Sequence, residues 1–203
     1  MKRIFVNLAV VDFVALLACF VGGMVFSPQG WRLDGSAIAA DAGQTKAVGT
    51  ENDSSYVVHF ALGLGSTIGN LGIHCLIFIY FLGTGRWVKE VALAYKLPDV
   101  PHPHLTRELK RRTFPPALLA MLVPVAASAS GEGARRDWPG WIHLALAIAS
   151  LLVNLWAFRI EYRNVSINGA VIDDVLHEVD RIRAEHGLPS NEEALKQEIK
   201  SSH

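Results

Sequence analysis

Residues 56–82 read YVVHFALGLGSTIGNLGIHCLIFIYFL and hold no Asp, Glu, Lys or Arg. A helix of that length crosses the roughly 30 Å hydrocarbon core of a bilayer with turns to spare. The apolar run is unbroken rather than alternating, so it is not a strand of a closed membrane barrel. Three further windows share this character. One runs from about residue 4 to 26 and carries a single charge, Asp12. A short one covers about 114–130, where Pro115 and Pro116 point to a capped start and Pro124 to a kink. The last covers about 138–158. The chain therefore reads as an all-α membrane protein. A bundle of four transmembrane helices is expected within residues 1–163, followed by a helical tail over 164–203.

Composition points the same way. Of 203 residues, 51% are hydrophobic and 19% charged, and the mean hydropathy is +0.27. That apolar content excludes disorder. Two cysteines, each inside an apolar run, cannot build a disulfide scaffold. A net charge of zero argues against a nucleic-acid partner.

Basic residues set the expected orientation. Lys2 and Arg3 precede the first span, and Arg159 and Arg163 follow the fourth. The 83–113 loop holds Arg86, Lys89, Lys96, Arg107, Lys110, Arg111 and Arg112 against three acids. Both termini and this loop are expected in the cytoplasm of a bacterial-type inner membrane, with the 27–55 and 131–137 loops outside. Trp31, Trp87, Trp138, Trp141 and Trp156 lie near span ends, as interfacial belts require. Leu16-Leu17-Ala18-Cys19 approximates a lipoprotein cleavage box. Asp12 interrupts the apolar region before it, however, and the run continues to Phe26, so a span is the better reading.

The tail changes character. Val171, Ile172, Val175, Leu176, Val179 and Ile182 recur at helical spacing among charged residues, which predicts a cytoplasmic amphipathic helix. It suits either packing on the bundle or docking of a partner. Gly187-Leu188-Pro189 is expected to end it, and Ser190 with Glu193 to open a short last helix as a capping box.

The second and fourth spans repeat one another. His59-Phe60-Ala61-Leu62-Gly63-Leu64-Gly65-Ser66-Thr67-Ile68-Gly69-Asn70 aligns with His143-Leu144-Ala145-Leu146-Ala147-Ile148-Ala149-Ser150-Leu151-Leu152-Val153-Asn154. His, Ala, Leu, Ser and Asn match in place. Ala15-Leu16-Leu17-Ala18 and Ala117-Leu118-Leu119-Ala120 echo each other more weakly. The spans thus read as two pseudo-repeated helical hairpins of parallel sense. That puts His59 and His143 at one depth. His59, Gly63, Ser66, Asn70 and His74 share one helix face, as do His143, Ala147, Ser150 and Asn154, and both faces are expected inside the bundle.

Two neutral imidazoles at one depth suit axial ligation of a haem b iron. In that reading His59 and His143 bind the metal, and Gly63 and Ala147 leave room for the porphyrin. Ser66, Ser150, Asn70 and Asn154 would line the pocket or bind a quinone, and Arg32, Arg135 or Arg136 would meet the propionates. Asp12 and His74 form a possible proton site or second redox site. The Gly65/Gly69 pair reads as close helix packing. Cys19 and Cys75 read as small packing residues at different depths. Pro101-His102-Pro103-His104 reads as solvated loop, and the Asn164-Val165-Ser166 sequon as chance.

No nucleophile–base spacing or nucleotide-binding motif occurs, so a carrier or structural subunit is expected rather than a stand-alone enzyme. The leading expectation is a haem b subunit carrying electrons between an external donor and a quinone or partner subunit, as part of a complex or homo-oligomer in membrane lipid. The alternatives are a haem-free structural or assembly subunit and a small proton-coupled carrier.

Overall fold

The structure, a computed structural model, describes residues 2–26, 54–99, 101–135 and 138–201, with the side chains of 54–56 and 132–135 left aside. Helices α1 (Lys2–Phe26), α2 (Ser54–Ala94), α3 (His102–Arg135), α4 (Gly140–Glu185) and α5 (Asn191–Ser201) make up the described fold, with no strand among the described residues. The first four are long and apolar enough to cross a membrane, the mark of a multi-pass membrane protein. Val11, Ile68, Ile79, Leu122 and Leu152 point outward, more than half exposed, and present an apolar surface to lipid. Each of α1 and α3 packs on both α2 and α4, while α2 and α4 meet across the diagonal of the bundle.

The interior combines an apolar core, with Phe5, Ile77, Phe81 and Phe158 among its members, and a line of buried polar side chains. Along α4, Ser150, Ala157, Asn164 and Val171 are buried at intervals of seven, as are Asn154, Glu161, Asn168 and Val175 beside them. A seven-residue repeat keeps one seam of a long helix against its neighbours. From Ser150 to Asn168 this seam is polar apart from Ala157, and beyond it turns to valine.

α4 is 46 residues long, about 69 Å at 1.5 Å per residue and more than twice the hydrocarbon thickness. Its second half is the tail expected at 164 and beyond. It continues the fourth span without a break. There Val175 and Val179 pack on Val88 of α2, with Trp87, Val91 and Tyr95 around them. The charged 83–113 segment, read as a loop, is mostly helix. α2 runs on to Ala94, and α3 begins at His102.

The α2–α3 turn has specific chemistry. Leu97 N–H donates to the Ala92 carbonyl at 2.8 Å and Lys96 N–H to Leu93 at 3.4 Å. This Schellman closure places Lys96 at φ 55, a left-handed position usually given to glycine. Arg107 grips Asp99 through two bonds, of 3.0 and 2.6 Å. That guanidinium holds the Asp99 carboxyl below the usual carboxylate range. The clamp therefore survives at neutral pH and is lost only as acid protonates Asp99. At the other end, α4 closes with Gly187 at φ 70. Ser190 Oγ accepts from Glu193 N–H at 3.3 Å while Glu193 accepts from Ser190 N–H at 3.0 Å, the expected capping box.

Pro115 and Pro116 sit inside α3 rather than at its start. Their missing N–H groups orphan the carbonyls of Arg111 and Arg112, on the charged stretch of the helix. Pro124 has no such surroundings. The carbonyl it orphans, Ala120, instead accepts from Asn154 Nδ2 at 3.4 Å.

Candidate functional site

His59 on α2 and His143 on α4 meet across the diagonal, with ring centroids 6.4 Å apart and ring planes at 88°. Each ring rests on a glycine of the neighbouring helix. A Cβ at Gly23 of α1 would come within 2.9 Å of His59 Cε1, and one at Gly131 of α3 within 3.2 Å of His143 Cε1. His143 Nδ1 lies 2.9 Å from the Ala127 carbonyl and 3.1 Å from Ser130 Oγ. A carbonyl only accepts, so Nδ1 carries the proton and Nε2 keeps its lone pair. His59 Nδ1 is buried with no hydrogen-bond partner among the described residues.

Deeper in the bundle lies a continuous buried chain. Asn70 Nδ2 donates to Asp12 Oδ2 at 3.0 Å and to Asn154 Oδ1 at 2.5 Å. Asn154 Oδ1 also meets His74 Nε2 at 3.0 Å. His74 Nδ1 meets Glu161 Oε1 at 2.7 Å, and its ring stacks on Phe158, with centroids 5.3 Å apart. Asn70, His74, Asn154 and Glu161 are 0% exposed and Asp12 is 3% exposed. Polar pairs continue along α4. Asn164 donates to Thr113 at 2.8 Å, and Asn168 donates to Tyr80 and Thr84 at 3.0 Å each.

The structure thus brings together His59 with His143, and Asn70 with Asn154, Asp12 and His74. The other expected pocket residues are turned elsewhere. Ser66 Oγ donates to the Gly63 carbonyl and Ser150 Oγ to that of Leu146, each on its own helix. A Cβ at Gly63 would meet Cys19 Sγ of α1 at 3.4 Å, so this glycine serves the α1–α2 contact. Ala147 is half-buried. Both ring nitrogens of His74 are engaged, which leaves none for a metal. No group of three or more His, Cys, Asp or Glu suited to a metal ion occurs among the described residues. Gly65 has open space where a Cβ would go, so the Gly65/Gly69 pair is not a close-packed helix crossing; Gly69 faces Asp12 instead. Arg32 and Arg136, and the side chain of Arg135, lie outside the described residues.

Three contributors were not read from the sequence. Glu161 falls beyond Phe158, where the apolar run stops, yet its seven-residue spacing from Asn154 is visible. Gly23 and Gly131 carry no such signal. Comparison with family models, with curated proteins and with solved structures finds no match.

Proposed function

We propose that the chain is a membrane-embedded electron-carrying subunit that holds a haem b between α2 and α4, with His59 and His143 as its axial ligands. The observation that carries this reading is the separation of the two rings. Metal–nitrogen bonds of about 2 Å, with about 1 Å more from each nitrogen to its ring centre, put opposed imidazoles about 6 Å apart. The observed centroid separation is 6.4 Å. The Ala127 carbonyl supports it further, because it places the proton of the neutral His143 ring on Nδ1, the tautomer that ligation through Nε2 requires. When bound, haem supplies a one-electron redox centre. The chain's own part is to orient the two imidazoles, give them room at Gly23 and Gly131, and close the space below them with the Asn70–Asn154 pair.

The bundle is assigned to a bacterial-type inner membrane with both termini cytoplasmic, on the basic bias of the 83–113 segment. Electrons would then pass from an external donor near the histidines to a quinone or partner subunit. Two pseudo-repeated hairpins fit this arrangement, since each sets one histidine of its second helix against a glycine of its first. The amphipathic tail keeps a charged outer face, with α5 beside it, for partner subunits or a second copy.

The test is a reduced-minus-oxidised spectrum of protein from haem-replete cells. A low-spin α-band is expected, and either His59→Ala or His143→Ala should abolish it. The double variant should be no worse, because the ligands act as a unit. His74→Ala should retain the band. A wild-type preparation without Soret absorption overturns the reading. A haem-free, proton-coupled bundle is the second reading, favoured by the burial of Asp12, His74 and Glu161 together.

A further inference from the structure

The hydrogen-bond directions around Asn154 determine how many protons its neighbours hold. Asn154 Nδ2 faces two carbonyl oxygens, Ser150 at 2.9 Å and Ala120 at 3.4 Å. The amide therefore cannot be flipped, and Oδ1 accepts from whatever it meets. One of those partners is His74 Nε2, so that nitrogen carries hydrogen. His74 Nδ1 then faces Glu161 Oε1 at 2.7 Å. Neutral imidazole against ionised carboxylate would set lone pair against lone pair at that distance. One further proton must lie between them, on either atom.

We propose that His74 and Glu161 form a proton-binding site that fastens α2 to α4 when loaded and releases them when empty. This inference does not depend on haem. The second oxygen of Glu161, Oε2, is buried without a partner among the described residues. A full carboxylate there would leave much of its charge unsolvated, which favours the loaded, uncharged pair. The titratable groups around the site are few. α1 contributes Asp12, two amides away, and α3 faces the layer with Ala117, Ala120 and Thr113, none of which titrates. Among the described residues, Asp12, His74 and Glu161 are the only buried Asp, Glu or His.

The pH dependence has a definite sign. Separated glutamate and histidine side chains, with ordinary pKa values of about 4.3 and 6.5, hold no such shared proton above neutrality. The folded pair holds one more proton than the unfolded chain, so stability falls as pH rises through loss of that proton. Glu161→Gln is the informative variant. Its amide donates to Nδ1 as the acid does, but it has nothing to titrate.

The experiment is an infrared pH-difference spectrum of the full chain in lipid vesicles, together with its thermal midpoint across the same range. Wild type should show loss of a buried carboxylic-acid band, or of imidazolium modes with the carboxylate retained, and a falling midpoint. Glu161→Gln should remove both changes, while Asp12→Asn should leave them. Ring-¹⁵N spectra of wild type should show His74 Nε2 protonated throughout, a readout that does not rely on a folded variant. A titration that survives Glu161→Gln, one that vanishes in Asp12→Asn, or an unprotonated Nε2 overturns the proposal.

Discussion

Asn154 serves two donors and two acceptors with one amide. Its Nδ2 reaches Ser150 and Ala120, and its Oδ1 receives Asn70 and His74. Asn154→Leu leaves those four groups without it, and the expected loss is about 1–2 kcal/mol, read as a lowered thermal midpoint in detergent. Asn154→Asp should be worse, because it turns an oxygen toward two carbonyls. The glycines make a sharper contrast. Gly23→Ala sets a methyl 2.9 Å from the His59 ring and should destabilise. Gly65→Ala meets nothing within 4 Å and should stabilise its helix by about 0.5–1 kcal/mol. Equal midpoints for the two variants would mean that Gly23 does not cradle the ring. His59, His143, Asn70 and Asn154 were legible because a polar residue repeated in an apolar run stands out. Glu161 was not, since Arg159 just before it reads as the edge of the membrane. Nor can any spacing tell which glycine will lie under which ring.

At the level of elements, α2 and α4 outrun the lipid and stay paired. The stripe of Val171, Val175 and Val179 was visible in sequence, but its partner was not, because the charges from Arg86 to Arg112 look like a loop. Helices that leave a membrane side by side keep a shared face, and charges on the outer side of each do not disturb it. Val175→Asp places a carboxylate where exposure is 0%. It should cost about 2–4 kcal/mol and open the α2–α4 extension to protease, while leaving the histidine layer in place. Unchanged digestion would rule out the packing. Lys96→Gly relieves a left-handed residue at the end of α2 and should add about 0.5–1 kcal/mol, measurable as a higher midpoint.

For the molecule as a whole, the four spans followed from apolarity alone, whereas their orientation rests on the basic residues. Cysteines introduced at Thr45 and His104, with Cys19 and Cys75 replaced by Ala, should be labelled from opposite sides of a sealed vesicle. Labelling of both from one side contradicts the assignment. The polar seam of α4 also bears on how the chain is made. A lone helix carrying Asn154 and Glu161 in and just past its apolar run partitions poorly from the translocon into hydrocarbon, where a charged group costs about 2.5–3.5 kcal/mol at mid-membrane. α2 is synthesised first and holds Asn70 and His74 ready. The fourth helix can therefore enter the bilayer by joining a waiting partner, and a chain stalled before that meeting would present its glutamate to quality control.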